Sequence, residues 1–450
     1  MTVASIILAA GRGTRMRSKL PKVLHPLAGK PLVWHALHAV ENLTTLPPVL
    51  VVGYRAEAIR EVLGERVRYA LQVEQLGTGH AVAAAQPLLE GEAEKILVTF
   101  ADMPLLRQET LASLLELHSQ TNSPVTMTSI IGEEARGFGR VVRDQAGKVT
   151  AIVEQAVATP QQLAIREYNV SAYCFDAQWL WEALPQIPIS PKGEYYLTDV
   201  VGLAVDAGYA VDSLILDDPQ EAIGLNNRVH LAAAEKVMRE RINTGWMLNG
   251  VTLTNPDTTY IEADVQIGVD TVIQPNTYLR GQTVIGEDCE IGPDTTVIDS
   301  RVGNQVRLIA SVLEQAQVAD RVTMGPFCHL RKGAILDAGV HLGNFAEVKD
   351  SYLGAGTRMG HFSYIGNAKI GTNVNIGAGT ITCNYDGKQK HPTEIGDDVF
   401  LGSDTMLVAP VKIGDRSITG AGAVVTRDVP QDTLVVGVPA KEKRKLEKSD

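Results

Sequence analysis

Cysteine is scarce in this sequence, whose 450 residues include four: Cys174, Cys289, Cys328 and Cys383. None of them has the close spacing to another Cys or His that a metal-binding motif requires. Four scattered cysteines are also too few for the disulfide framework of a small secreted protein. We therefore expect four reduced thiols.

The sequence also lacks an excess of basic residues and any long apolar segment. Its formal net charge is -11, and it contains no basic run interleaved with aromatic residues, which argues against a nucleic-acid-binding surface. It has no stretch of about 18 apolar residues that could cross a bilayer. The segment after Met1 does not show the charged-then-apolar pattern of a signal peptide. We expect a soluble, cytoplasmic protein that binds neither nucleic acid nor membrane.

An apolar ladder organises the C-terminal half. An aliphatic residue recurs every six positions from Ile261 to Val297, and glycine follows it at Gly268, Gly286 and Gly292. A period of six fits neither an α-helix nor an ordinary strand. It is typical of hexapeptide repeats, in which each hexad supplies one short strand and a turn of a parallel β-helix. After breaks, the ladder resumes at Leu330, Leu336, Leu342, Val348, Leu353, Met359, Ile365, Ile370, Ile376, Ile395, Leu401, Leu407 and Ile413.

This ladder predicts a left-handed parallel β-helix of hexapeptide repeats over residues 251–450. Three hexads would form one triangular coil, and we expect each break in the ladder to be extruded as a loop. A solenoid presents flat faces on which copies can associate. From the habit of such repeat proteins, we expect a homotrimer with sites between neighbouring subunits.

The N-terminal half has the alternating pattern of an α/β domain. Apolar runs predict strands at Ser5–Ala10, Val49–Val52, Ile96–Phe100, Val125–Ile131 and Ser171–Phe175, and helical patterns lie at Pro31–Val40, Ala56–Leu63 and Thr110–His118. The alternation predicts a Rossmann-like domain over residues 1–227 with a mostly parallel sheet, whose ligands bind beyond the carboxyl ends of the strands. Gly11, Gly53 and Asp102 fall at those ends. Apolar spacings from Leu231 to Trp246 then predict an amphipathic connecting helix over residues 228–250.

The loop Gly11–Arg15 has the composition of a phosphate site. It lacks the Gly-Lys-Ser/Thr of a Walker A loop, and Met16 stands where a dinucleotide fingerprint would have its third glycine. Backbone N–H groups freed by glycine can still form an anion nest, and Arg15 and Lys22 can neutralise phosphate charge. Taken alone, the loop is equally compatible with a plain strand-to-helix turn.

Three motifs, in the right order, resemble those of the sugar-1-phosphate nucleotidyltransferases. They are Leu8–Met16 followed by Pro21–Leu24, then Gln72–Ala81, then Phe100–Pro104. The resemblance implies that UTP and the sugar nucleotide are bound by Leu8, Ala9, Ala10, Gly11, Arg15, Lys22, Gln72, Gly77, Thr78, Gly139, Glu154, Asn169 and Asn226. In that family the segment 72–78 lies at the nucleobase, and Gly139, Glu154 and Asn169 match residues that hold the sugar. The stretch 191–199 is similar to the uridylyl branch of the family, which favours UTP and an N-acetylhexosamine phosphate.

The same resemblance implies a Mg²⁺ site formed by Asp102 and Asn226. Asn227 is the alternative, because the adjacent pair leaves the alignment open by one residue. An Asp that closes a strand before Met-Pro can also be a simple turn former. The chemistry favours a metal ligand, because nucleotidyl transfer brings two anions together and needs a divalent cation between them. Mg²⁺ typically takes one or two protein oxygens and keeps its waters.

Polar interruptions of the ladder carry a second resemblance. The segments 330–333, 347–349, 360–366 and 373–379 are similar to the acetyltransferase half of the bifunctional N-acetylglucosamine-1-phosphate uridylyltransferase/glucosamine-1-phosphate N-acetyltransferases, a family that the chain resembles over nearly its entire length. The resemblance implies that Arg331 and Lys349 bind the sugar phosphate and that Tyr364 and Asn375 place the sugar. It also implies that His361 is the general base, although a histidine at a coil corner can be merely solvated.

The coenzyme is expected next to these residues. The resemblance implies acetyl-CoA contacts from Ala378, Asn384, Tyr385, Ser403 and Ala421, with Asn384 and Tyr385 on an extruded loop that reaches a neighbouring subunit. Some members carry an Arg just before the Val-Pro near the C-terminus, where this chain has Gly437. Which cation of the segment 441–445, if any, meets the coenzyme phosphates stays open.

We therefore expect a two-domain enzyme with two activities. Acetyl-CoA and glucosamine 1-phosphate would give N-acetylglucosamine 1-phosphate, which would react with UTP to give UDP-N-acetylglucosamine and pyrophosphate for cell-envelope polysaccharide. One rival is a nucleotidyltransferase with a regulatory β-helix, and another is a non-catalytic exchange-factor subunit of translation initiation. Both predict no base or phosphosugar cluster in the solenoid, so Arg331, Lys349 and His361 argue against them.

Overall fold

The computed structural model describes residues 2–133 and 137–445, so the last five residues of the predicted β-helix domain lie outside it. The chain divides into two compact units. The division falls between Met238 and Arg239, within the last helix, Arg228–Leu248.

The first unit contains the strands and helices of an α/β domain. Its strands are β1 (Val3–Leu8), β2 (Pro26–Leu27), β3 (Lys30–Pro31), β4 (Val49–Val52), β5 (Arg68–Leu71), β6 (Lys95–Phe100), β7 (Val125–Ile131), β8 (Arg140–Arg143), β9 (Val149–Val153), β10 (Glu167–Asp176) and β11 (Asp212–Ile215). The helices, of which the last continues into the second unit, are α1 (Leu32–Val40), α2 (Ala56–Leu63), α3 (Thr78–Ala83), α4 (Gln86–Leu89), α5 (Gln108–Gln120), α6 (Pro160–Leu163), α7 (Ala177–Ala183), α8 (Asp199–Asp206) and α9 (Arg228–Leu248).

The main sheet of this unit is mostly parallel, as predicted. Its order is β11-β7-β10-β6-β1-β4-β5, and the hairpin β8–β9 attaches to β10. β1 runs parallel to both β4 and β6, whereas β10 lies antiparallel between β6 and β7. β1 is buried on both faces, with Ile6 and Ile7 in different clusters. Such strands read as continuous apolar runs, which explains why β4, with the sequence Val-Leu-Val-Val, has the predicted bounds. β7 also has the predicted bounds.

The N-terminal half of α9 packs against the first unit. Ala234 and Val237 are buried in a cluster, and Leu231 and Met238 lie partly buried against it. The other buried members of that cluster are Leu27, Leu32, Leu105, Ile223 and Leu225. In the other half of α9, Ile242 and Trp246 pack against the core of the second unit.

The second unit is a parallel β-helix with three faces. The first face contains Thr252–Leu253, Val272–Ile273, Glu290–Ile291, Arg307–Leu308, Thr323–Met324, His341–Leu342, Arg358–Met359, Asn375–Ile376, Phe400–Leu401, Ile418–Thr419, Thr433–Val436 and the antiparallel Lys441–Lys445. The second face contains Thr259–Ile261, Thr277–Arg280, Thr296–Ile298, Val312–Glu314, His329–Leu330, Ala346–Lys349, Ser363–Gly366, Ile381–Cys383, Met406–Val408 and Val424–Val425. The third face contains Gln266–Ile267, Val284–Ile285, Arg301–Val302, Gln317–Val318, Ile335–Leu336, Tyr352–Leu353, Ala368–Ile370, Thr393–Ile395 and Val411–Ile413.

The aliphatic ladder forms the core of this unit. Every ladder residue predicted from Ile261 to Ile413 is buried in one continuous cluster. Neighbouring coils are in parallel register, so that Ile273 lies beside Ile291 and Ile291 beside Leu308. The hexapeptide period therefore places one aliphatic side chain per strand on the shared axis.

The prediction that every break in the ladder is extruded as a loop was wrong. Between Val297 and Leu330 the coil continues without a loop, and Val302, Leu308, Leu313, Val318 and Met324 are buried in the same core. A strand of two residues suffices for each face, so a corner can lose a residue without moving the next inward side chain. One such corner has Asp299 with a φ of 47°, in the left-handed region, which turns the chain within few residues. The break after Ile376 does carry an extruded loop, residues 384–392.

We predict that the chain cut after Arg241 folds by itself, whereas the chain cut after Arg228 is destabilised. The shorter fragment loses Leu231, Ala234, Val237 and Met238, and so exposes the cluster they cover. Burial of one such side chain is worth roughly 1.5–3 kcal/mol, so we expect a deficit of roughly 3 kcal/mol or more in the free energy of unfolding. Urea denaturation followed by circular dichroism measures both fragments. Equal stability of the two fragments would contradict the packing role of α9.

Candidate active sites

A cleft of about 340 Å³ opens in the first unit where β1 and β6 end, at Leu8 and Phe100. The predicted binding residues that line it are Leu8, Ala9, Ala10, Gly11, Arg15, Lys22, Gln72, Gly77, Thr78, Asp102 and Asn226. The nucleotide and metal residues expected from separate motifs thus meet in one cavity.

Four charged or amide side chains meet at the centre of this cleft. Lys22 Nζ lies 2.5 Å from Asp102 Oδ2 and 3.4 Å from Asn226 Oδ1. Arg15 Nη2 donates to the same Asn226 oxygen at 2.8 Å. Gly13 has a φ of 60°, and a Cβ there would lie 2.5 Å from Lys22 Cβ. The glycine loop therefore packs directly on the stem of Lys22.

Asp102 and Asn226 fit a Mg²⁺ site. Their two oxygens converge on the Lys22 ammonium, which stands in for a metal cation. Mg²⁺ typically takes only one or two protein oxygens, so two such ligands are enough for it. Asn227 is used differently, because its Oδ1 accepts from the His230 N–H at 2.9 Å at the start of α9. The geometry therefore favours Asn226 over Asn227.

The wall predicted to meet the nucleobase is built from two segments. Gln72 Nε2 donates to Gly77 O at 3.0 Å, and Thr78 Oγ1 accepts from the Leu197 N–H at 2.9 Å. Gly77 has a φ of 105°, and a Cβ there would lie 2.5 Å from Tyr195 O. Glycine is required at this position because the two segments touch.

The three residues predicted to hold the sugar form a neighbouring cluster and are not among the cleft-lining residues. The Asn169 N–H donates to Gly139 O at 3.0 Å, and Thr198 Oγ1 donates to Glu154 Oε1 at 3.1 Å. Burial raises the pKa of Glu154, and the nearby carboxylates of Asp199 and Glu194 add to this effect. The Asn169 amide is occupied within the fold, because it donates to Tyr173 Oη at 2.6 Å and accepts from the Ser171 N–H at 3.2 Å.

Sequence reasoning left several cleft residues without a role. They are Val23, Gln75, Ala81, Phe100, Glu194 and Tyr196. Glu194 connects the cleft with the sugar cluster. It lines the cleft, and its carboxylate contributes to the raised pKa of Glu154. The signal for Glu194 and Tyr196 was their position in the uridylyl-type stretch 191–199.

In the second unit, cationic side chains lie at the carboxyl ends of strands of the second face. Arg331 and Lys349 occupy equivalent positions in adjacent coils, since the Arg331 N–H donates to Val348 O at 2.9 Å. The Lys390 amine beside Lys349 lowers the pKa of Lys349, and Arg331 contributes to this effect. Arg331 Nη1 is paired with Glu347 Oε1 at 3.0 Å, and Lys349 Nζ lies 3.8 Å from Asp350 Oδ2. The three cations outnumber these two carboxylates, which leaves a positive charge suited to a phosphate. Lys390 was missed from the sequence because it lies on the extruded loop, outside the ladder.

His361 lies exposed at the opposite edge of the second face, on a corner. The next coils bring Ala378, Ser403 and Ala421 to the same corner. The backbone bonds that show this are Gly379 N–H to Phe362 O, Asp404 N–H to Ala378 O, and Gly422 N–H to Ser403 O. Coils stack about 4.8 Å apart, so this column extends roughly 14 Å.

The remaining predicted residues flank the column and the cations. Tyr364 lies on the second face over Gly366, and Asn375 is exposed on the first face. Asn384 is buried and donates to Asn367 Oδ1 at 2.7 Å. Tyr385 is 62% exposed at the start of a loop that Asp386 organises by accepting from the Lys388 and Gln389 N–H groups. Asn384 is thus part of the coil, whereas Tyr385 projects from it.

Comparison with known proteins gives the family. Residues 5–184 match the MobA-like NTP transferase domain, and residues 392–427 match the bacterial transferase hexapeptide model. Proteins named bifunctional protein GlmU are similar over nearly the whole chain. The one from Heliobacterium modesticaldum is 46% identical over 96% of this chain and 94% of its own length, and the one from Exiguobacterium sibiricum is 47% identical over 96% of both. The one from Streptococcus agalactiae is 45% identical over 97% of this chain and 95% of its own length.

The chain belongs to the GlmU family. This membership and the two domain matches confirm the predicted fold class, a nucleotidyltransferase domain followed by a left-handed β-helix of hexapeptide repeats. They also confirm that the protein is a bifunctional transferase with uridylyltransferase and acetyltransferase activities. Among the helices in the described parts of the chain, none is long and apolar enough to span a membrane.

We predict opposite effects on stability for two glycine-to-alanine changes in the first unit. Gly77→Ala should lower the free energy of unfolding by roughly 1–3 kcal/mol, because of its φ of 105° and its contact with Tyr195 O. Gly202→Ala, in α8 with nothing within 4 Å of its Cβ, should raise it by roughly 0.5–1 kcal/mol. Denaturation followed by tryptophan fluorescence reports mainly on this unit, which holds Trp34, Trp179 and Trp181. Unchanged stability in Gly77→Ala would show that the two segments do not pack as described.

Proposed function

We propose that this member of the GlmU family makes UDP-N-acetylglucosamine in two steps at two separate sites. The second unit acetylates glucosamine 1-phosphate with acetyl-CoA. The first unit then transfers UMP from UTP to N-acetylglucosamine 1-phosphate and releases pyrophosphate. The observation that carries the proposal is that each unit has its own group of cations beside the residues proposed for its reaction. These cations are Arg15 and Lys22 in the first unit, and Arg331, Lys349 and Lys390 in the second.

The first reaction site is proposed in the cleft around Lys22. Arg15, Lys22 and the glycine loop bind the triphosphate, while Gln72, Gly77 and Thr78 form the wall at the nucleobase. A phosphate oxygen of the sugar attacks the α-phosphorus of UTP, and the bond to pyrophosphate breaks in line with it. Mg²⁺ held by Asp102 and Asn226 would screen the charge of the two anions. Glu154, Gly139 and Asn169 hold the sugar at the side of the cleft where Glu194 lies.

The second reaction site is proposed on the β-helix. Arg331, Lys349 and Lys390 bind the sugar phosphate, and Tyr364 and Asn375 place the sugar ring. His361 takes a proton from the 2-amino group as this group attacks the thioester carbonyl, and coenzyme A leaves as the thiol. The corner column from Ala378 through Ser403 to Ala421, with Asn384 and Tyr385, gives an extended acetyl-CoA a continuous surface.

We further propose that the protein acts as a homotrimer in the cytoplasm. The exposed Tyr385 loop projects from the coil and is free to meet a neighbouring copy. UTP and acetyl-CoA are supplied in the cytoplasm, and the product would feed peptidoglycan synthesis. The functional boundaries we propose are residues 1–227 for the uridylyltransferase, 228–250 for the connecting helix and 251–450 for the acetyltransferase.

Asp102→Ala should lower the rate of uridylyl transfer by roughly 10²-fold or more and leave the rate of acetyl transfer unchanged. It removes the carboxylate of the proposed metal site, and none of the residues proposed for acetyl transfer lies in the first unit. Pyrophosphate release measures the first activity, and thiol release measures the second. Asp206→Ala, an exposed acid in α8, is the matched control and should change neither. Equal loss of both activities in a folded Asp102→Ala protein would refute separate sites.

His361→Ala should lower acetyl transfer by roughly 10²–10⁴-fold, the usual contribution of a general base. The KM for glucosamine 1-phosphate should change little, because Arg331, Lys349 and Lys390 still bind the phosphate. His341→Ala, on an adjacent coil of the first face, is the matched histidine control and should retain activity. Full acetyl transfer in His361→Ala would overturn the assignment of the base.

A further inference from the structure

Lys22 occupies the position at which the proposed metal ligands converge. Its ammonium contacts Asp102 Oδ2 at 2.5 Å and Asn226 Oδ1 at 3.4 Å, and its side chain is 13% exposed. The close packing of Gly13 on its Cβ fixes the stem. Lys22 therefore contacts both ligand oxygens from a backbone position that the glycine loop sets.

A divalent cation bound at these two oxygens would lie close to the Lys22 ammonium, so the two cations would compete for the oxygens and repel each other. We propose that Lys22 guards the metal position: it neutralises Asp102 and contacts the Asn226 oxygen until a nucleotide arrives, and it then moves to the phosphates while the metal takes its place. This inference rests on the proposed function, which supplies the metal role of Asp102 and Asn226.

This role of Lys22 couples the binding of the nucleotide to the binding of the metal. Phosphate oxygens attract Lys22 and Arg15 away from Asp102 and Asn226, so nucleotide binding frees the metal ligands. A metal at those oxygens in turn releases two cations for the phosphates. Because such coupling is reciprocal, each ligand tightens the binding of the other, typically 5–150-fold. The metal alone therefore binds weakly, which keeps it from occupying the site without substrate.

The direct test is Mn²⁺ binding to the full chain without nucleotide, followed by the electron paramagnetic resonance signal of free Mn²⁺. Lys22→Met removes the competing charge, so it should bind Mn²⁺ at least about fivefold more tightly than the wild type. Arg12→Met is the matched control. It removes a cation from the same loop, but one whose Nε donates to Gln75 Oε1 at 3.0 Å and not to a metal ligand. Its Mn²⁺ affinity should change less than twofold.

A second measurement uses the wild-type protein and so does not depend on the folding of a variant. Mg²⁺ alone, at saturating concentration, should speed modification of Lys22 by an amine-reactive reagent, because the displaced ammonium leaves its ion pair. Lys19, an exposed lysine on the same segment, provides the internal reference, and peptide mass spectrometry measures both rates. Slower or unchanged modification of Lys22 in the presence of Mg²⁺ would overturn the guard role.

Asp102→Asn distinguishes a failure of the guard role of Lys22 from a failure of the metal site. If it weakens Mn²⁺ binding while Lys22→Met binds no more tightly than Arg12→Met, the metal site stands and the guard role is overturned. If Asp102→Asn binds Mn²⁺ as the wild type does, the metal assignment in the proposed function fails, and the guard role fails with it. Loss of binding in Asp102→Asn together with tighter binding in Lys22→Met supports both.

Discussion

The second unit depends on one constraint: each strand must place an aliphatic side chain on the axis of the coil. Burial of one such side chain is worth roughly 1.5–3 kcal/mol, and the ladder contributes it in every coil from Ile261 to Ile413. Because parallel register then fixes every other position, residues far apart in sequence arrive at the same corner. His361, Ala378, Ser403 and Ala421 form a column for this reason.

In the first unit the parallel sheet plays the corresponding part. β1 and β6 end side by side, so the glycine loop and Asp102 face each other across one cleft. Like charges on Arg15 and Lys22 are tolerated there because Asp102 and Asn226 supply the opposing oxygens. In the proposed mechanism, the ion pair between Lys22 and Asp102 lies where phosphate and metal would bind.

Periodicity and motif spacing were enough to predict both folds and most of the first cleft. The six-residue ladder predicted the β-helix core, and apolar runs predicted β4, β7 and their bounds. What the sequence could not provide was the meeting of distant segments: Glu194 reaches the cleft beside Glu154, and Lys390 reaches Lys349 from an extruded loop. The different hydrogen bonds of Asn226 and Asn227, which bear on the proposed metal ligand, could not be read from the sequence either. The tight corners between Val297 and Leu330 needed backbone angles, because a break in the ladder looks the same whether it is a loop or a shortened corner.

The central claim is that one chain carries out two reactions in order at separate sites. It is tested by incubating the protein with glucosamine 1-phosphate, acetyl-CoA, UTP and Mg²⁺, omitting one component at a time, while thiol and pyrophosphate are followed separately. The account predicts thiol release without UTP, and pyrophosphate release from glucosamine 1-phosphate only when acetyl-CoA is present. It also predicts pyrophosphate release from N-acetylglucosamine 1-phosphate without acetyl-CoA. Pyrophosphate release from glucosamine 1-phosphate and UTP alone, or no thiol release in the complete mixture, would contradict it.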